Sequence, residues 1–366
     1  MKVSLLQENL LPALSFVGKN VSFKTQIPIT QNVLLLVEKG FLRLATTCIE
    51  TTTATTVAVK TDEDGGICVP AKLFMEFVSS LPSGKVDLVV KEQMLTIVSK
   101  GYKATLPGIE KGEFPPVPQK GKKGAVINAK EFSEAVKSVL FAAATDEGRP
   151  LLTGIKIRKN EDETIFVATD GYRLSLKRTN LPFREGFDKV IPGKALSHVL
   201  QMEENGELEF EEVEEGQIGF FVKDNEVYTR VIEGEYPSFD RIIPKTNSTS
   251  VLMQKDVLVK AVKTAAIFAK DNANIVRFHF ENNTMTVSAN TPQVGESNVE
   301  TEVEIKGDGG DIAFNSRFLL DFLNNVTAEK LVFEMTGSLN PGVFKIAEDE
   351  SFLHIIMPVR VQTDKT

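Results

Sequence analysis

The 366-residue chain has no tryptophan, only two cysteines and only three histidines. His198, His279 and His354 lie far apart and lack the spacing of metal ligands. Cys48 and Cys68 lie in apolar sequence, so we expect two buried thiols and neither a disulfide framework nor a metal site. The Walker loop, the nucleophile elbow and the HExxH motif are all missing, and we expect neither a cofactor nor catalytic residues.

The chain also lacks a long hydrophobic run. No apolar stretch approaches the roughly 18–20 residues that span a bilayer. The first residues are interrupted by Glu8, Asn9 and Pro12 and do not have the apolar centre of a signal peptide. Hydrophobic residues make up 42% and charged residues 25%, the balance of a soluble globular protein. We therefore expect a cytoplasmic protein whose length suits two or three domains.

The chain repeats itself three times. The amphipathic segments QENLLPALSFV, AKEFSEAVKSVLF and KDVLVKAVKTAAIF align through Leu10, Phe132 and Leu258, which are 122 and 126 residues apart. A second set, VPAKLFMEFV, IPGKALSHVL and FNSRFLLDFL, aligns at 72, 194 and 317 with spacings of 122 and 123. Apolar residues at i, i+3 and i+4 mark one buried helical face in each. The predicted helices are 7–19, 71–80, 129–141, 193–201, 254–270 and 316–325.

Strand pairs separate these helices, as in VLLLVEKGFLRLATT and VRFHFENNTMTVSAN. Each repeat therefore reads as helix, strands, helix, strands, and polar linkers at 115–124 and 244–250 separate the copies. We predict an α+β protein of three homologous domains, 1–120, 125–245 and 249–361, followed by a polar tail at 362–366. Because each copy is long enough for its own core, the period excludes a solenoid.

Charge is segregated along the chain, although the net charge is −8. The six predicted helices carry ten Lys or Arg against six Asp or Glu, and the rest of the chain carries 32 against 44. Acidic residues concentrate in one strand region, at Glu203, Glu204, Glu207, Glu209, Glu211, Glu212, Glu214 and Glu215. Helices along one surface would then offer a mildly positive lane to phosphates. The alternative is that each lysine solvates its own helix face.

Three motifs accompany the repeat: VATDGYRLSL and GEYPSFDRIIP in the second copy, and IIMPVRV at the end of the third. In this order and spacing they resemble the bacterial DNA sliding clamp family, the β subunits of DNA polymerase III, over nearly the whole chain. The resemblance implies the DNA-clamp fold, with two helices packed on antiparallel sheets in each domain. It also implies a head-to-tail homodimer, a ring of six domains with helices inside and sheets outside.

The resemblance further implies a function without catalysis. Sliding clamps are processivity factors that encircle duplex DNA and tether other proteins to it. The implied partners are double-stranded DNA without sequence preference, the catalytic subunit of the replicative polymerase, an ATP-driven clamp loader, and repair and translesion polymerases. The expected location is the cytoplasm, in association with the nucleoid.

The family binds partner peptides in an apolar pocket between the second and third domains. Carried over by motif, the pocket here comprises Leu152, Thr169, Gly171, Tyr172, Arg173, Leu174, Pro237, Arg241, Ile242, Met357, Pro358, Val359 and Arg360. Apolar side chains would receive a partner's anchors while the arginines reach carbonyls or acids at the rim. Without the resemblance, Leu152, Leu174, Ile242 and Met357 read as ordinary core residues.

Other positions are assigned to DNA and to the dimer. The predicted DNA contacts are Lys24, Lys72, Lys137, Arg149, Lys194, Lys263 and Arg317. Ile267 and Phe268 resemble residues of the ring interface. Each position has an alternative: a solvated lysine for Lys24, a structural turn residue for Arg149, and core packing for the apolar pair.

The chain departs from the family at two places. Tyr172 stands where relatives often have His, and QTDKT extends past Val361. Two rival hypotheses stay open. One is an enzyme using scattered carboxylates such as Asp146, Asp170 and Asp240, although Asp170–Gly171 is more typical of a turn. The other is a monomeric scaffold that binds peptides without encircling DNA.

Overall fold

A computed structural model describes residues 1–21, 27–48, 50–121, 124–202, 205–214, 216–291 and 295–360. The chain divides into two compact units. Unit 1 comprises Met1–Lys130 and Lys194–Val231, and unit 2 comprises Glu131–Gly193 and the described residues from Ile232 onward. Each unit is therefore built from two separate stretches of chain.

The described ranges contain six α-helices, each within two residues of a predicted segment. They are α1 (Gln7–Gly18), α2 (Ala71–Ser80), α3 (Ala129–Leu140), α4 (Gly193–Val199), α5 (Lys255–Ala269) and α6 (Ser316–Asn325). The Asn315 side chain caps α6 by accepting a hydrogen bond from the Arg317 N–H (2.9 Å). Within these ranges, no helix has the length and apolar character needed to cross a membrane.

The strands of unit 1 are mostly short and come from both of its chain stretches. They are β1 (Lys2–Leu6), β2 (Asn32–Glu38), β3 (Phe41–Thr47), β4 (Thr51–Ala58), β5 (Lys60–Glu63), β6 (Gly65–Pro70), β7 (Lys85–Lys91), β8 (Met94–Ser99), β9 (Tyr102–Pro107), β10 (Ile109–Glu110), β11 (Ala125–Asn128), β16 (Glu207–Glu214), β17 (Gln217–Val222) and β18 (Asn225–Arg230).

Unit 2 is built in the same way. Its strands are β12 (Gly154–Lys159), β13 (Thr164–Thr169), β14 (Arg173–Thr179), β15 (Asp188–Pro192), β19 (Thr249–Gln254), β20 (Ile275–Glu281), β21 (Thr284–Thr291), β22 (Gly295–Glu302), β23 (Glu304–Gly307), β24 (Gly310–Asn315), β25 (Lys330–Met335), β26 (Gly342–Ile346) and β27 (Asp349–Ile356).

Each unit contains one nine-stranded sheet and one smaller sheet. In unit 1 the orders are β10-β6-β2-β3-β4-β18-β17-β16-β11 and β5-β1-β7-β8-β9. In unit 2 they are β15-β12-β13-β14-β27-β26-β25-β19-β23 and β22-β21-β20-β24. Helices and antiparallel sheets in three repeated copies confirm the predicted α+β architecture.

Consecutive sequence repeats join in the middle of each nine-stranded sheet. In unit 1, β4 of the first repeat pairs antiparallel with β18 of the second, beginning at Thr51 opposite Thr229. In unit 2, β14 of the second repeat pairs with β27 of the third, beginning at Arg173 opposite Ile356. The central repeat thus gives half of its strands to each unit. The two compact units therefore do not coincide with the three sequence repeats. The predicted domain limits follow those repeats.

The hydrophobic cores lie where the predicted helix faces meet the sheets. The nine aligned positions of those faces are all buried: Leu10, Ala13, Leu14, Phe132, Ala135, Val136, Leu258, Ala261 and Val262. In unit 2, phenylalanines fill the space between α5, α6 and the strands. The rings of Phe314 and Phe333, for example, meet edge to face with centroids 6.0 Å apart, a favoured arrangement for buried aromatics.

The C-terminal end of α1 is held by hydroxyl groups from β3 and β4. Thr46 Oγ1 donates to the Val17 carbonyl (2.6 Å) and lies 2.8 Å from Thr53 Oγ1. The Asn20 amide donates to the carbonyls of Thr46 and Thr51 at 3.2 and 3.0 Å. Because buried polar groups need partners, this network ties α1 to one register of the β3–β4 pair.

The two cysteines differ in burial. Cys68 is fully buried in β6, and burial raises the pKa of its thiol to about 12. Cys48 is only half-buried, so the expectation of a second buried thiol is wrong. Cys48 follows the last residue of β3, where the chain leaves the sheet and neighbouring strands cover it less completely.

The turn after α5 generates a stability prediction. Ala273 is exposed and has a φ of 51°, in the left-handed region that disfavours a Cβ. We expect Ala273→Gly to raise the free energy of unfolding by roughly 0.5–1 kcal/mol, measured by urea denaturation. Ala266→Gly, inside α5, is the matched control and should lower it by about 1 kcal/mol. Equal effects of the two substitutions would contradict the conformational explanation.

Candidate functional site

All thirteen predicted pocket residues lie in unit 2, on five neighbouring segments. The segments are the 3-10 turn Pro150–Thr153, the end of β13 with the loop that follows, the start of β14, residues 237–242, and residues 357–360 after β27. We call the surface formed by these thirteen residues the groove. Its members differ in exposure, which separates a buried floor from an exposed apolar face.

The floor of the groove belongs to a hydrophobic core. Leu152 and Leu174 are 8% and 2% exposed and share this core with Tyr236, Phe239 and Ile355. Burial raises the pKa of the Tyr236 phenol and so keeps it neutral. The alternative of plain core packing is thus correct for the two leucines, which support the surface without projecting from it.

Three large apolar side chains of the groove are exposed instead. Tyr172, Met357 and Ile242 are 57%, 40% and 38% exposed, while Pro358 and Val359 are half-buried. Apolar side chains grouped at a surface are typical of a binding site for a partner. The core alternative is therefore wrong for Ile242 and Met357.

Backbone hydrogen bonds place the segment that follows β27. The Met357 N–H donates to the Tyr172 carbonyl (2.9 Å), which extends the β14–β27 pairing by one step. The Val359 N–H donates to the Ala313 carbonyl (2.8 Å) in β24. The chain therefore leaves the sheet along a defined path, and that path brings Met357 beside Tyr172.

The loop Thr169–Arg173 is a turn organised by Asp170. Asp170 Oδ1 accepts hydrogen bonds from the N–H groups of Tyr172 (2.9 Å) and Arg173 (3.0 Å), and Gly171 has a φ of 90°. Thr169 Oγ1 accepts from the Gly171 N–H (3.0 Å) and donates to the Arg173 carbonyl (2.6 Å). This confirms the turn interpretation of Asp170–Gly171.

Arg173 supports this loop from beneath. Its side chain is 9% exposed; Nε lies 3.0 Å from Asp170 Oδ2, and Nη1 lies 2.6 Å from Asp321 Oδ2 in α6. Its guanidinium also lies 4.7 Å over the Phe318 ring and 6.0 Å from the Phe141 ring. Loss of either acid would leave the nearly buried Arg173 guanidinium with only one charged partner. Arg173 therefore fixes the loop to α6.

The structure also brings residues to the groove that sequence reasoning missed. Phe318 stacks on Tyr172, with ring centroids 6.2 Å apart and planes 19° from parallel. Phe318 and Asp321 belong to the helical pattern of α6, so the sequence marks them only as helix positions. Arg149 also contacts this loop. Its guanidinium lies 6.0 Å from the Tyr172 ring, and its Nη1 lies 3.4 Å from the Asp170 carbonyl.

The other predicted DNA contacts lie on helices, except Lys24, which is outside the described residues. Lys72 and Lys194 are exposed on helices of unit 1, and Lys137, Lys263 and Arg317 are exposed on helices of unit 2. Lys72 lies 4.0 Å from Glu76 one turn later, a contact that contributes little at a surface.

The predicted interface residues differ from each other. Ile267 is 59% exposed on α5, whereas Phe268 is half-buried against the core of unit 2. The alternative of core packing is therefore partly correct for Phe268. Ile267 is left as an exposed branched apolar residue on a helix, where it contributes nothing to the stability of this core.

The acids of the enzyme hypothesis have structural contacts. Asp146 Oδ1 accepts from the Gly148 N–H (2.9 Å), and Asp240 pairs with Arg158. Over the described part of the chain, no group of three His, Cys, Asp or Glu residues is placed to hold a metal. A cavity of about 460 Å³ in unit 2 is lined by polar residues such as Glu163, Arg178 and Glu350 and includes no predicted site residue.

A buried histidine lies at the β14–β27 junction near the groove. His354 Nδ1 is 2.7 Å from Ser175 Oγ, and the imidazole stacks on Phe322 with centroids 4.7 Å apart. Complete burial, and secondarily the Arg173 charge, hold the pKa of His354 well below 6.5. The residue is therefore neutral in the folded protein.

Known protein families and individual proteins match this chain over nearly all of its length. Residues 1–118, 126–238 and 240–360 match the families described as the N-terminal, central and C-terminal domains of the DNA polymerase III beta subunit. The β sliding clamp of Synechocystis sp. is 28% identical over 389 residues, covering 99% of this chain and 100% of that protein. The β sliding clamp of Bacillus subtilis is 27% identical over 377 residues, covering 98% and 100%. The structure of the Pseudomonas aeruginosa sliding clamp (DNA polymerase III subunit β) bound to griselimycin has a TM-score of 0.92 and 26% identity, covering 99% and 100%.

His354 generates a prediction about pH. Below about pH 6.5 the unfolded imidazole takes up a proton that the folded one does not, so acid favours unfolding and the contribution of His354 is complete only above that pH. From about pH 7.5 to about pH 5.5, we expect the wild type to lose about 1 kcal/mol more unfolding free energy than His354→Gln. Urea denaturation at both pH values measures this difference. An identical pH dependence in the two proteins would contradict it.

Proposed function

The chain belongs to the DNA polymerase III β-subunit family, the non-catalytic sliding clamps that act as processivity factors in DNA replication, and on this premise we propose how it holds DNA and its partners. The ring is a head-to-tail homodimer around duplex DNA. The groove receives peptides from the replicative polymerase, the clamp loader, and repair and translesion polymerases. Such a protein works in the cytoplasm, on the nucleoid.

The strand pattern supports the ring. The five-stranded sheet of unit 1 ends at β9, and the four-stranded sheet of unit 2 ends at β22. An unpaired edge strand presents a row of free N–H and C=O groups and invites another strand. Pairing of β9 from one copy with β22 from another would produce a further nine-stranded sheet like the two within the chain. The third repeat would then join the first repeat of the next copy, as the first joins the second.

The side chains near these edges suit such a contact. Tyr102 in β9 is 49% exposed and Ile267 in α5 is 59% exposed. Glu296 and Glu300 are exposed in β22, and Lys103 is exposed in β9. Burying the apolar pair while opposite charges meet would favour a heterologous contact over a symmetric one between like edges. Two such contacts close a dimer.

Charge placement supports sequence-independent DNA contact. Each unit presents exposed basic residues on helices, including Lys72 and Lys194 in one and Lys263 and Arg317 in the other. Phosphate contacts carry no sequence information and are weakened by salt. A closed ring stays on DNA by topology, so weak contacts hold it without opposing its movement. The binding of DNA therefore needs no recognition helix.

The proposal that the groove binds peptides rests mainly on its exposed apolar face. Apolar anchors of a partner peptide can pack on the exposed side chains of Tyr172, Ile242 and Met357. Leu152 and Leu174 form the buried floor beneath. Arg241 and Arg360 are exposed at the rim, within reach of peptide carbonyls or carboxylates. We expect griselimycin, with which the Pseudomonas aeruginosa clamp has been solved, to bind this chain at the groove.

The ring generates a prediction about topology. After loading with the cognate loader and ATP, we expect the protein to remain on circular plasmid through gel filtration and to leave linearised plasmid by sliding off the ends. The solution mass should be that of a dimer. Ile267→Asp should keep the monomer fold, seen as an unchanged circular dichroism spectrum, because Ile267 is exposed, but weaken the dimer and lose retention. A monomer retained equally on both plasmids, or on neither, would contradict the ring and favour the monomeric peptide-binding scaffold.

The groove generates a separate prediction. We expect Met357→Asp to weaken griselimycin binding at least about tenfold in calorimetric titration, because a charge would replace an apolar contact surface. The melting temperature should stay unchanged, since Met357 is 40% exposed. Phe41→Asp, at a 53% exposed position in unit 1, is the matched control and should bind like the wild type. Equal losses in both variants, or none in either, would count against the groove.

A further inference from the structure

One wall of the groove is a segment with little structure of its own. Residues 236–242 contain a single 3-10 turn, Phe239–Arg241. Its local hydrogen bonds run from the Arg241 N–H to the Ser238 carbonyl (3.3 Å) and from the Ile242 N–H to the Phe239 carbonyl (3.0 Å). One isolated turn is not stable in water. The position of this wall therefore depends on contacts with the rest of unit 2.

Core packing holds only one side of the segment. Tyr236 and Phe239 are buried in the core below the groove, but Pro237, Asp240 and Arg241 are exposed. Beside the segment lies a cavity of about 340 Å³, lined by residues 234–240 and by side chains of β12 and β15. The exposed residues of the turn are therefore left to be fixed by polar contacts.

Arg158 in β12 is the tie across this cavity. Its Nη1 lies 3.3 Å from Asp240 Oδ2, and its Nη2 lies 3.5 Å from Asp240 Oδ1, the two-pronged geometry that arginine forms with carboxylates. The same guanidinium lies 4.8 Å over the Phe239 ring. Arg158 thus holds two successive residues of the turn. The neighbouring cation on β12, Lys156, pairs with Asp188 of β15 and leaves Arg158 to Asp240.

We propose that Arg158 and Asp240 are positioning residues for the groove: their ion pair fixes the 3-10 turn so that Pro237, Arg241 and Ile242 face the bound ligand. Neither residue needs to touch that ligand. The inference rests on the proposed peptide groove. It adds to that groove the Arg158–Asp240 ion pair, which lies outside the thirteen groove residues. It predicts that the charges matter as a pair and not individually.

Amide hydrogen exchange tests the tie without any ligand. In Arg158→Glu and in Asp240→Arg, we expect the Arg241 and Ile242 amides to exchange about fivefold faster, as loss of a partly exposed ion pair allows. The double variant Arg158→Glu/Asp240→Arg restores the pair with reversed charges. Its exchange should return to within about twofold of the wild type.

Calorimetric titration with griselimycin tests the consequence for binding. We expect each single variant to bind about fivefold more weakly and the double variant to recover to within about twofold, with melting temperatures unchanged throughout. Arg178→Glu is the matched control. It breaks a comparable pair with Glu163 (3.4 Å) at the β13–β14 pair and touches no part of the turn, so it should bind like the wild type.

The two measurements separate the possible outcomes. Unchanged exchange in the single variants, or a double variant no better than either, would overturn the proposal. Faster exchange and weaker binding that recover together support it. If the wild type fails to bind griselimycin while exchange becomes faster in the single variants and recovers in the double variant, the positioning of the turn stands and the proposed groove fails.

Discussion

Backbone pairing across the boundaries of the repeats is the constraint on which the rest of this structure depends. Each repeat ends its sheet on an open strand, and open strands must find partners or be covered. Within the chain, β4 meets β18 and β14 meets β27, so neighbouring repeats share sheets of nine strands. These pairings explain why the compact units cut the central repeat in two. They leave β9 at one edge of the smaller sheet of unit 1 and β22 at one edge of the smaller sheet of unit 2.

The β4–β18 and β14–β27 junctions have the same backbone pairing but different side chains. In unit 1 the residues just beyond the first pair are Glu50 and Arg230, joined by a hydrogen bond from the Arg230 N–H to the Glu50 carbonyl (3.0 Å). In unit 2 the corresponding residues are Tyr172 and Met357, joined in the same way (2.9 Å). Charged residues thus stand at one junction and apolar residues of the groove at the other, so the same backbone arrangement carries different side chains at its two copies.

Buried polar groups then stiffen the groove. Asp170 shapes the loop, Arg173 fixes that loop to Asp321 in α6, and Ser175 meets the neutral His354 one pairing step further along. Asp170, Arg173 and Ser175 thus have partners, as burial requires, whereas the buried His354 Nε2 has none among the described residues. The exposed aromatic ring of Tyr172 consequently stands on a rigid base. The wall formed by residues 236–242 is held by Tyr236 and Phe239 in the core, and in our proposal the Arg158–Asp240 ion pair fixes its exposed turn.

The sequence by itself determined the features that are local or repeated: six helices, their buried faces, the turn at Asp170–Gly171 and the threefold repeat. Helical periodicity and self-similarity are properties of residues near one another in the chain or at a fixed spacing, so no structure is needed to see them. The family motifs added the thirteen groove residues as an ordered set. The sequence did not distinguish the buried Arg173 from the exposed Arg241, and it expected Cys48 to be buried.

Only the tertiary structure decided which strands pair between repeats and which side chains face solvent. Arg173 and Asp321 are separated by 148 residues, and Arg158 and Asp240 by 82. Contacts at such separations depend on how sheets join, and no local pattern encodes that choice. Phe318 reads as an ordinary helix residue until α6 lies beside Tyr172. The groove therefore depends on sheet joining, because residues 357–360 come beside Tyr172 only when β14 pairs with β27.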